Sequence, residues 1–248
     1  MRLLILGGTS EASALARALA GMNGIEAILS LAGRTQHPDA FPVATRIGGF
    51  GGAAGLARYI ATEGIGAVID ATHPFAAQIS ANAEAACAAA RTPLAVFSRA
   101  AWAPSPGDRW SEVADVMAAV AALGATPRRV FLTVGRLSLG AFAAAPQHYY
   151  LVRTIEPLDA AALAPRLRSI RARPPFTPEA ETALMQAENI DCLVSKNSGG
   201  AAGEAKLAAA RALKLEVIMV RRPPPGAARR FEHLVEALDW IAAHTLTP

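Results

Sequence analysis

The first residues with evident chemistry form a turn in which two hydroxyl side chains follow two glycines. This turn contains Gly7, Gly8, Thr9, Ser10 and Glu11; an apolar stretch precedes it and an alanine-rich stretch follows. Glycines let a backbone approach a diphosphate closely, and the first amides of a helix attract negative charge. We therefore predict a phosphate-bearing cofactor here, bound by Gly8, Thr9, Ser10 and Glu11. The turn is not the full Gly-x-Gly-x-x-Gly pattern, and similar turns occur where no ligand binds.

The end of the second predicted strand carries no acidic residue. Folds that prefer NAD place an acid there for the ribose hydroxyls, whereas an arginine with hydroxyl neighbours suits a 2′-phosphate. The chain has Ser30, Arg34 and Thr35 at this point, which favours NADP over NAD. The glycine-rich stretch after the third strand, which includes Gly49, could lie under the adenine or ribose or be only a flexible loop.

The fourth predicted strand ends in Asp70 and continues into a Thr-His-Pro-Phe sequence. Ligands of open α/β sheets bind at this carboxyl edge, so Thr72, His73 and Phe75 are predicted to contact the cofactor. His73 could serve catalysis as a proton donor or an orienting residue, or it could only cap or pack the loop. Asp70 is predicted to cap the turn or the following helix.

Positive charge is concentrated in the second half of the chain. Residues 126–248 contain 16 lysines and arginines against 11 acidic residues, whereas residues 1–125 contain 8 against 9. We predict no nucleic-acid partner, because aromatic residues make up only 6% and no helix-turn-helix or aromatic RNA-binding motif is apparent. A small polyanionic ligand explains the excess, although any single basic residue could equally belong to a solvated surface. Two strand ends of this half carry a basic residue in a glycine-bearing turn, Arg136 and Lys196, and Lys196 could meet a carboxylate or a phosphate as a compact charge.

Apolar strand-like runs alternate with alanine-rich helical stretches along the whole chain, a pattern typical of parallel sheets with helices on both faces. Strands are predicted at 3–6, 27–30, 45–47, 67–70, 94–97, 129–134, 149–155, 191–195 and 216–220. Helices are predicted near 10–20, 52–63, 76–90, 112–123, 138–144, 178–188, 202–213 and 231–244. The predicted fold class is α/β, with two Rossmann-like doubly wound parallel-sheet domains and a cleft between them.

An irregular segment with Pro104, Pro106 and Gly107 separates two patterned regions, and we place a domain boundary beside it. Residues 1–100 are predicted to form an NADP-binding Rossmann-like domain, and residues 101–248 a second domain of the same kind. The last helix could pack on either domain.

The composition predicts a globular protein with a substantial core, since 52% of the 248 residues are hydrophobic. No apolar run approaches the roughly 20 residues that span a bilayer, and the first strand begins too early to leave room for a signal peptide. We expect a cytoplasmic protein without a membrane partner. Cys87 and Cys192 fit no metal-ligand spacing with the histidines, so both are predicted to be buried thiols and no metal is expected.

Five motifs, spread over nearly the whole chain, resemble those of the precorrin-6A reductase family of cobalamin biosynthesis. They are Leu-Gly-Gly-Thr-Ser-Glu at 6–11, Asp-Ala-Thr-His-Pro-Phe-Ala at 70–76, Thr-Val-Gly-Arg at 133–136, Ser-Lys-Asn-Ser-Gly at 195–199 and Val-Arg-Arg-Pro at 220–223. The motif at 70–76 is the most diagnostic of them.

This resemblance implies that NADPH delivers a hydride to C19 of precorrin-6A and that a proton is added at C18, which gives precorrin-6B. The acetate and propionate carboxylates of the tetrapyrrole would be bound mainly by the second domain, and the candidate contacts are Arg99, Arg136, Arg153, Lys196, Asn197, Ser198 and Lys206. Other enzymes of the corrin pathway are the protein partners to consider. Water or His73 could supply the proton. The sequence leaves open whether the substrate is metal-free or holds cobalt, and whether NADH can substitute.

Two other functions compete with the one that this resemblance implies. A short-chain reductase or epimerase needs a Tyr-x-x-x-Lys pair, and none of Tyr59, Tyr149 and Tyr150 has a lysine four residues later. A non-enzymatic protein that senses NADPH would bind the cofactor through the first domain and a partner protein through the second. It would show cofactor binding without turnover.

Overall fold

The chain folds into two compact units. In the computed structural model the described residues are 1–33, 40–154, 158, 166–172 and 175–245. The first unit comprises Met1–Ala100 and Pro223–Pro248, and the second comprises Ala101–Arg222. Residues 223–245 therefore pack in the first unit; the sequence had placed them within the second domain and left the last helix open to either.

Strands and helices alternate along the described residues. The strands are β1 (Arg2–Leu6), β2 (Glu26–Leu31), β3 (Ala44–Ile47), β4 (Ile65–Asp70), β5 (Leu94–Phe97), β6 (Arg109–Val113), β7 (Arg129–Thr133), β8 (Tyr149–Thr154), β9 (Leu167–Arg171), β10 (Cys192–Lys196), β11 (Glu216–Val220) and β12 (Arg229–Phe231). The α-helices are α1 (Ser10–Leu19), α2 (Gly52–Thr62), α3 (Ala77–Ala90), α4 (Val116–Ala122), α5 (Pro178–Ala187), α6 (Ala205–Ala212) and α7 (Leu234–Thr245). Two 3₁₀ helices span Arg136–Ala144 and Ala201–Gly203.

The sheet of the first unit has the strand order β3-β2-β1-β4-β5-β12, and the strand pairs are parallel. The chain order reverses between β1 and β4, which is where open α/β sheets form a ligand crevice. Leu6 pairs with Ser30 on one side and with Asp70 on the other. The carboxyl ends of β1, β2 and β4 therefore meet at one edge.

The sheet of the second unit repeats this order as β9-β8-β7-β10-β11-β6, again with parallel pairs. The last strand of each sheet comes from the chain that leaves the other sheet. Strand β6, at the edge of the second sheet, follows β5 of the first sheet along the chain, and β12, at the edge of the first sheet, follows β11 of the second. The prediction of two doubly wound parallel α/β domains is confirmed.

The central strand β1 is buried on both faces, which explains its continuous apolar sequence. Leu3 and Ile5 belong to a cluster that includes residues of α1 and α7, whereas Leu4 and Leu6 belong to a second cluster with residues of α2 and α3. Each helix layer thus covers alternate residues of the same strand.

The sequence analysis missed three short strands. It gave no strand for β9 and β12, and it began a helix at residue 112, within β6, whereas α4 begins at Val116. All three lie at sheet edges and are rich in exposed polar residues, so they lack the apolar pattern of a central strand. Of the described helices, none has the length and apolar character required to cross a membrane.

The position of α7 can be tested by truncating one of its core residues. Ile241 is fully buried in the cluster around β1, so Ile241→Ala should lower the free energy of unfolding by about 2–5 kcal/mol. Val235, on the same helix, is 67% exposed, and Val235→Ala should change it by less than about 0.5 kcal/mol. Urea denaturation measures both changes. If both substitutions lowered the free energy of unfolding equally, α7 would not pack in the core through Ile241.

A fully buried histidine lies at the other end of the second sheet from the carboxyl edge. His148 Nδ1 accepts a hydrogen bond from the Arg128 amide at 3.2 Å, and Nε2 lies 3.1 Å from the Gly124 carbonyl oxygen. This pair of bonds suits the neutral ring with its proton on Nε2. Burial lowers the pKa of His148 from its ordinary 6.5, opposed by the Gly124 carbonyl, while Arg128 lowers it and Asp191 raises it by smaller amounts.

This lowered pKa predicts a loss of stability in mild acid. Below pH 6.5 the unfolded chain binds a proton at His148 and the folded chain does not. The free energy of unfolding should therefore decrease as the pH is lowered, until the pH reaches the pKa of His148 in the folded chain. The contribution is at most about 1.4 kcal/mol per pH unit. His148→Asn keeps an acceptor for the Arg128 amide and does not titrate. Urea denaturation from neutral pH to about pH 5.5 should show a weaker pH dependence in this variant; an unchanged dependence would refute the assignment.

Candidate nucleotide site

A cavity of about 410 Å³ lies at the carboxyl edge of the first sheet. Its volume is within the range of small-molecule sites. Five of the residues predicted from the sequence line it: Gly8, Ser30, Gly49, Thr72 and His73. Ser30 lies near the end of β2 and the other four lie in the turns after β1, β3 and β4, so the fold brings together residues that are far apart in sequence.

The turn after β1 requires both of its glycines. A Cβ atom on Gly7 would lie 2.6 Å from Leu29 Cδ1, in the buried face of β2. Gly8 has a φ of 112°, a conformation that other residues rarely adopt. The backbone therefore reaches the start of α1 without a side chain in the cavity wall.

Thr9 caps α1 and joins it to the end of β4. Its hydroxyl oxygen accepts from the Ala12 amide at 3.1 Å, and its hydroxyl hydrogen is donated to the Ala71 carbonyl at 2.7 Å. The sequence analysis expected this hydroxyl to be offered to a ligand, but the fold uses its hydrogen. The first-turn amides, which have no acceptor within a helix, are the groups that suit a phosphate here.

Glu11, in the first turn of α1, pairs with Arg99. Arg99 Nη1 lies 2.7 Å from Glu11 Oε2, and their side chains are only 20% and 17% exposed. Ser10 Oγ donates to the same carboxylate at 3.2 Å. The charge of Arg99, predicted to meet a polyanionic ligand, is thus balanced within the unit, and Ser10, Glu11 and Arg99 do not line the cavity.

Asp70 organises the loop after β4. It is 3% exposed, and its carboxylate accepts from the Thr72 amide at 3.0 Å, the Thr72 hydroxyl at 2.6 Å and the Ser80 hydroxyl at 2.5 Å. Asp70 therefore caps this turn, as predicted, and ties it to α3. The Thr72 hydroxyl, predicted to contact a cofactor, is already donated to Asp70.

His73 lies on this ordered loop and lines the cavity. Its Nδ1 accepts from the Phe75 amide at 3.2 Å, which places the proton of the neutral ring on Nε2. The two rings are 5.9 Å apart, and Phe75 is not part of the cavity wall. The loop thus presents His73 as a hydrogen-bond donor in its neutral form.

The sequence analysis missed Arg46, on β3. Its Nη1 donates to Ser30 Oγ at 2.8 Å and to the Gly48 carbonyl at 3.0 Å, and its Nη2 donates to the Gly49 carbonyl at 3.2 Å. Sixteen residues separate Ser30 from Arg46, but the register of β2 and β3 pairs them directly. Arg34 and Thr35, predicted for the same position, lie outside the described residues.

The carboxyl edge of the second sheet carries some of the predicted basic residues. Lys196, at the end of β10, donates to Ser138 Oγ at 2.7 Å, and burial lowers the pKa of its ammonium group. Arg136 follows Gly135 at the end of β7 and is exposed. Lys206 lies on α6, with its ammonium 4.8 Å from the centre of the Trp102 ring.

The loop after β10 is anchored to Trp102. The Asn197 side chain is 7% exposed; its oxygen accepts from the Trp102 amide at 2.8 Å and its nitrogen donates to the Trp102 carbonyl at 2.9 Å. The Trp102 indole donates to the Gly200 carbonyl at 3.1 Å. Asn197 was predicted to bind a ligand, but its side chain holds this loop, on which Ser198 lies.

Arg153, also predicted to bind a ligand, is held by Glu181. The two side chains form a pair of hydrogen bonds, one of them from Nη2 to Oε2 at 2.9 Å, and they are 11% and 2% exposed. The guanidinium also lies 3.6 Å from the centre of the Phe176 ring. Its charge is therefore compensated in a largely buried position.

Comparison with known proteins assigns this architecture to a family. The sequence pattern of the precorrin-6x reductase CbiJ/CobK family matches residues 2–242. The chain belongs to this family. A solved structure titled CobK precorrin-6A reductase has 52% sequence identity and a TM-score of 0.92, with 100% of this chain and 98% of that chain covered.

Curated relatives of the CbiJ/CobK family have similar lengths. The precorrin-6A reductase of Rhodobacter capsulatus is 52% identical over 100% of this chain and 98% of its own. The precorrin-6A reductase of Mycobacterium tuberculosis is 41% identical, with 97% of each chain covered. The cobalt-precorrin-6A reductase of Synechocystis is 29% identical over 88% of this chain and 87% of its own.

The cysteines of this CbiJ/CobK chain are both buried, as the sequence predicts. Burial raises the pKa of the Cys87 thiol to about 11 and that of Cys192 to about 12, so both remain protonated at neutral pH. The described residues contain no group of three or more His, Cys, Asp or Glu side chains that could hold a metal ion.

The role of Asp70 in this CbiJ/CobK chain can be tested directly. Asp70→Ala removes the acceptor of three hydrogen bonds and should lower the free energy of unfolding by about 2–3 kcal/mol. Ser80→Ala removes one of them and should cost about 1 kcal/mol. Both follow from urea denaturation. If Asp70→Ala costs no more than Ser80→Ala, the carboxylate does not organise the loop.

Proposed function

We propose that this chain catalyses the NADPH-dependent reduction of precorrin-6A to precorrin-6B. A hydride would be added at C19 and a proton at C18, while NADPH becomes NADP⁺. Membership of the CbiJ/CobK family supports a reductase of the cobalamin pathway. The cavity at the carboxyl edge of the first sheet, at its switch point, is the observation that carries the assignment of the cofactor to this unit.

The residues around this cavity suit a dinucleotide phosphate. The two glycines after β1 leave room for the backbone to approach a diphosphate, and the amides that begin α1 suit its negative charge. Ser30 lines the cavity at the end of β2, where no acidic side chain takes its place. Arg34 follows in sequence and remains a candidate for the 2′-phosphate. When bound, the nicotinamide supplies the hydride.

His73 is the candidate for handling the proton. The loop after β4 is fixed by Asp70, and His73 is fixed within it by the Phe75 amide. In its neutral form it carries a proton on Nε2, which can be donated or used to orient a carbonyl or carboxylate. Water is the alternative proton source.

The tetrapyrrole would be bound through its carboxylates by the second unit. Arg136, Lys196, Ser198 and Lys206 lie at the carboxyl edge of its sheet or on the loop and helix that follow β10. Lys196 is a compact charge held by Ser138, so it is ordered before a carboxylate arrives. Arg153 and Asn197 are left out of this set, because Glu181 and Trp102 already engage their side chains.

We infer that the substrate is metal-free. Relatives named as precorrin-6A reductases are 41–52% identical to the chain, whereas those named as cobalt-precorrin-6A reductases are 29% identical. This difference favours precorrin-6A over the cobalt-bearing compound. The family assignment also favours an enzyme over a protein that only senses NADPH.

The proposed reaction is tested by mixing the purified chain anaerobically with NADPH and precorrin-6A. The nicotinamide absorbance should fall while the tetrapyrrole spectrum changes, with one NADPH consumed for each macrocycle reduced. Parallel reactions contain cobalt-precorrin-6A, or NADH in place of NADPH. Faster turnover of the cobalt compound would overturn the metal-free inference. Binding of NADPH with no spectral change for either macrocycle would refute the reductase.

A further inference from the structure

Arg46 differs from Arg2 and Arg99, two other arginines of the first unit, in the groups that it contacts. Arg2 and Arg99 both form ion pairs with carboxylates. Arg46 donates hydrogen bonds to Ser30 Oγ and to two backbone carbonyls, all of them neutral, and it forms no ion pair with any residue that the structure describes. A guanidinium is always charged at neutral pH. Its positive charge is therefore available to an anion.

The position of this charge is set by the pairing of β2 with β3. Ser30 and Arg46 are partners in the register, and the 2.8 Å bond from Nη1 to Ser30 Oγ brings the guanidinium to the carboxyl end of β2. Four of the residues that Arg46 contacts line the cavity: Ser30, Gly48, Gly49 and Phe50. In folds of this kind, the end of β2 is where the adenosine ribose is recognised.

The contact with Arg46 leaves the Ser30 hydroxyl able to donate a hydrogen bond. Its side-chain oxygen accepts from Arg46, so its own hydroxyl hydrogen is directed elsewhere. The residue is 5% exposed and lines the cavity. An anion at this point can therefore accept from the Ser30 hydroxyl and lie close to the Arg46 charge.

Packing keeps the guanidinium of Arg46 in place. It lies 3.9 Å from the centre of the Phe50 ring, and Phe50 packs edge-on against Tyr59. The Gly48 and Gly49 carbonyls accept from the same group. A charge that is ordered in advance loses little entropy when it binds.

We propose that Arg46, together with Ser30, determines the specificity of the cavity for a nucleotide whose adenosine ribose carries a 2′-phosphate. This inference rests on the proposed function in one respect, namely that the cavity binds a nicotinamide dinucleotide. It adds Arg46 to the residues that the sequence indicates for distinguishing NADP from NAD, which are Ser30, Arg34 and Thr35.

The test compares Arg46→Met with the wild type in isothermal titration calorimetry. The probes are NADP⁺, NAD⁺, adenosine 2′,5′-bisphosphate and AMP. The dissociation constants of NADP⁺ and the bisphosphate should rise about tenfold to hundredfold, because a charge-assisted contact is lost. Those of NAD⁺ and AMP should change by less than about threefold, since neither carries the 2′-phosphate.

Two further variants and a control sharpen this result. Ser30→Ala should raise the dissociation constants of NADP⁺ and the bisphosphate, by less than Arg46→Met does, and leave those of NAD⁺ and AMP unchanged. Arg46→Lys keeps the positive charge but lacks the paired donor nitrogens of the guanidinium. It should therefore bind NADP⁺ less tightly than the wild type and more tightly than Arg46→Met. Arg58→Met removes the same charge from an exposed position on α2 and should leave all four dissociation constants unchanged. If Arg46→Met does not fold, Arg46→Lys and Ser30→Ala carry the comparison.

If the Arg46 variants bound NADP⁺ and NAD⁺ with equally increased dissociation constants, the inference would be overturned, because Arg46 would then only hold the loop after β3. Unchanged binding of NADP⁺ in them would overturn it as well. In both cases the wild type still binds a dinucleotide, so the proposed function stands. If the wild type binds neither NADP⁺ nor NAD⁺, the cofactor assignment itself fails.

Discussion

The site depends on the junction between β1 and β4, where the chain order of the first sheet reverses. Ala71, directly after β4, bonds twice to the end of β1 and the turn that follows it: its amide donates to the Leu6 carbonyl at 2.9 Å, and its carbonyl accepts from Thr9. The glycine turn, the cap of α1 and the histidine loop are thereby fixed to one another. The glycine turn and His73, the candidate proton donor, line a common cavity because two parallel strands end side by side.

The arginines fall into groups according to whether their positive charge is compensated by a carboxylate. Arg99 and Arg153 were both expected to contact a ligand, yet each lies against a carboxylate within its own unit. A buried charge without a partner is costly, so these pairs were needed to place the arginines where they are. Arg46 instead bonds to neutral oxygens and rests on an aromatic ring. The chain contains 21 arginines, and sequence position alone does not sort them into these groups.

The sequence predicted the parts of the fold that have strong periodicity. The central strands, buried on both faces, and the longer helices were found because burial demands a continuous or regularly spaced apolar pattern. The edge strand β6 was taken for the start of a helix, because Arg109, Ser111 and Glu112 give it no apolar pattern. Five cavity residues were identified because they stand at the end of a predicted strand or in the turn that follows one. Arg46 was missed because its partner, Ser30, is near it only through strand pairing.

The exchange of sixth strands between the units has a consequence for synthesis on the ribosome. When the first hundred residues have emerged, the first unit still lacks β12 and α7, which supply Phe231, Trp240 and Ile241 to its core. The second unit, by contrast, is complete once Arg222 has emerged. The half that begins the polypeptide therefore finishes folding last, and until then the β5 edge and the apolar face beneath α7 are open to chaperones.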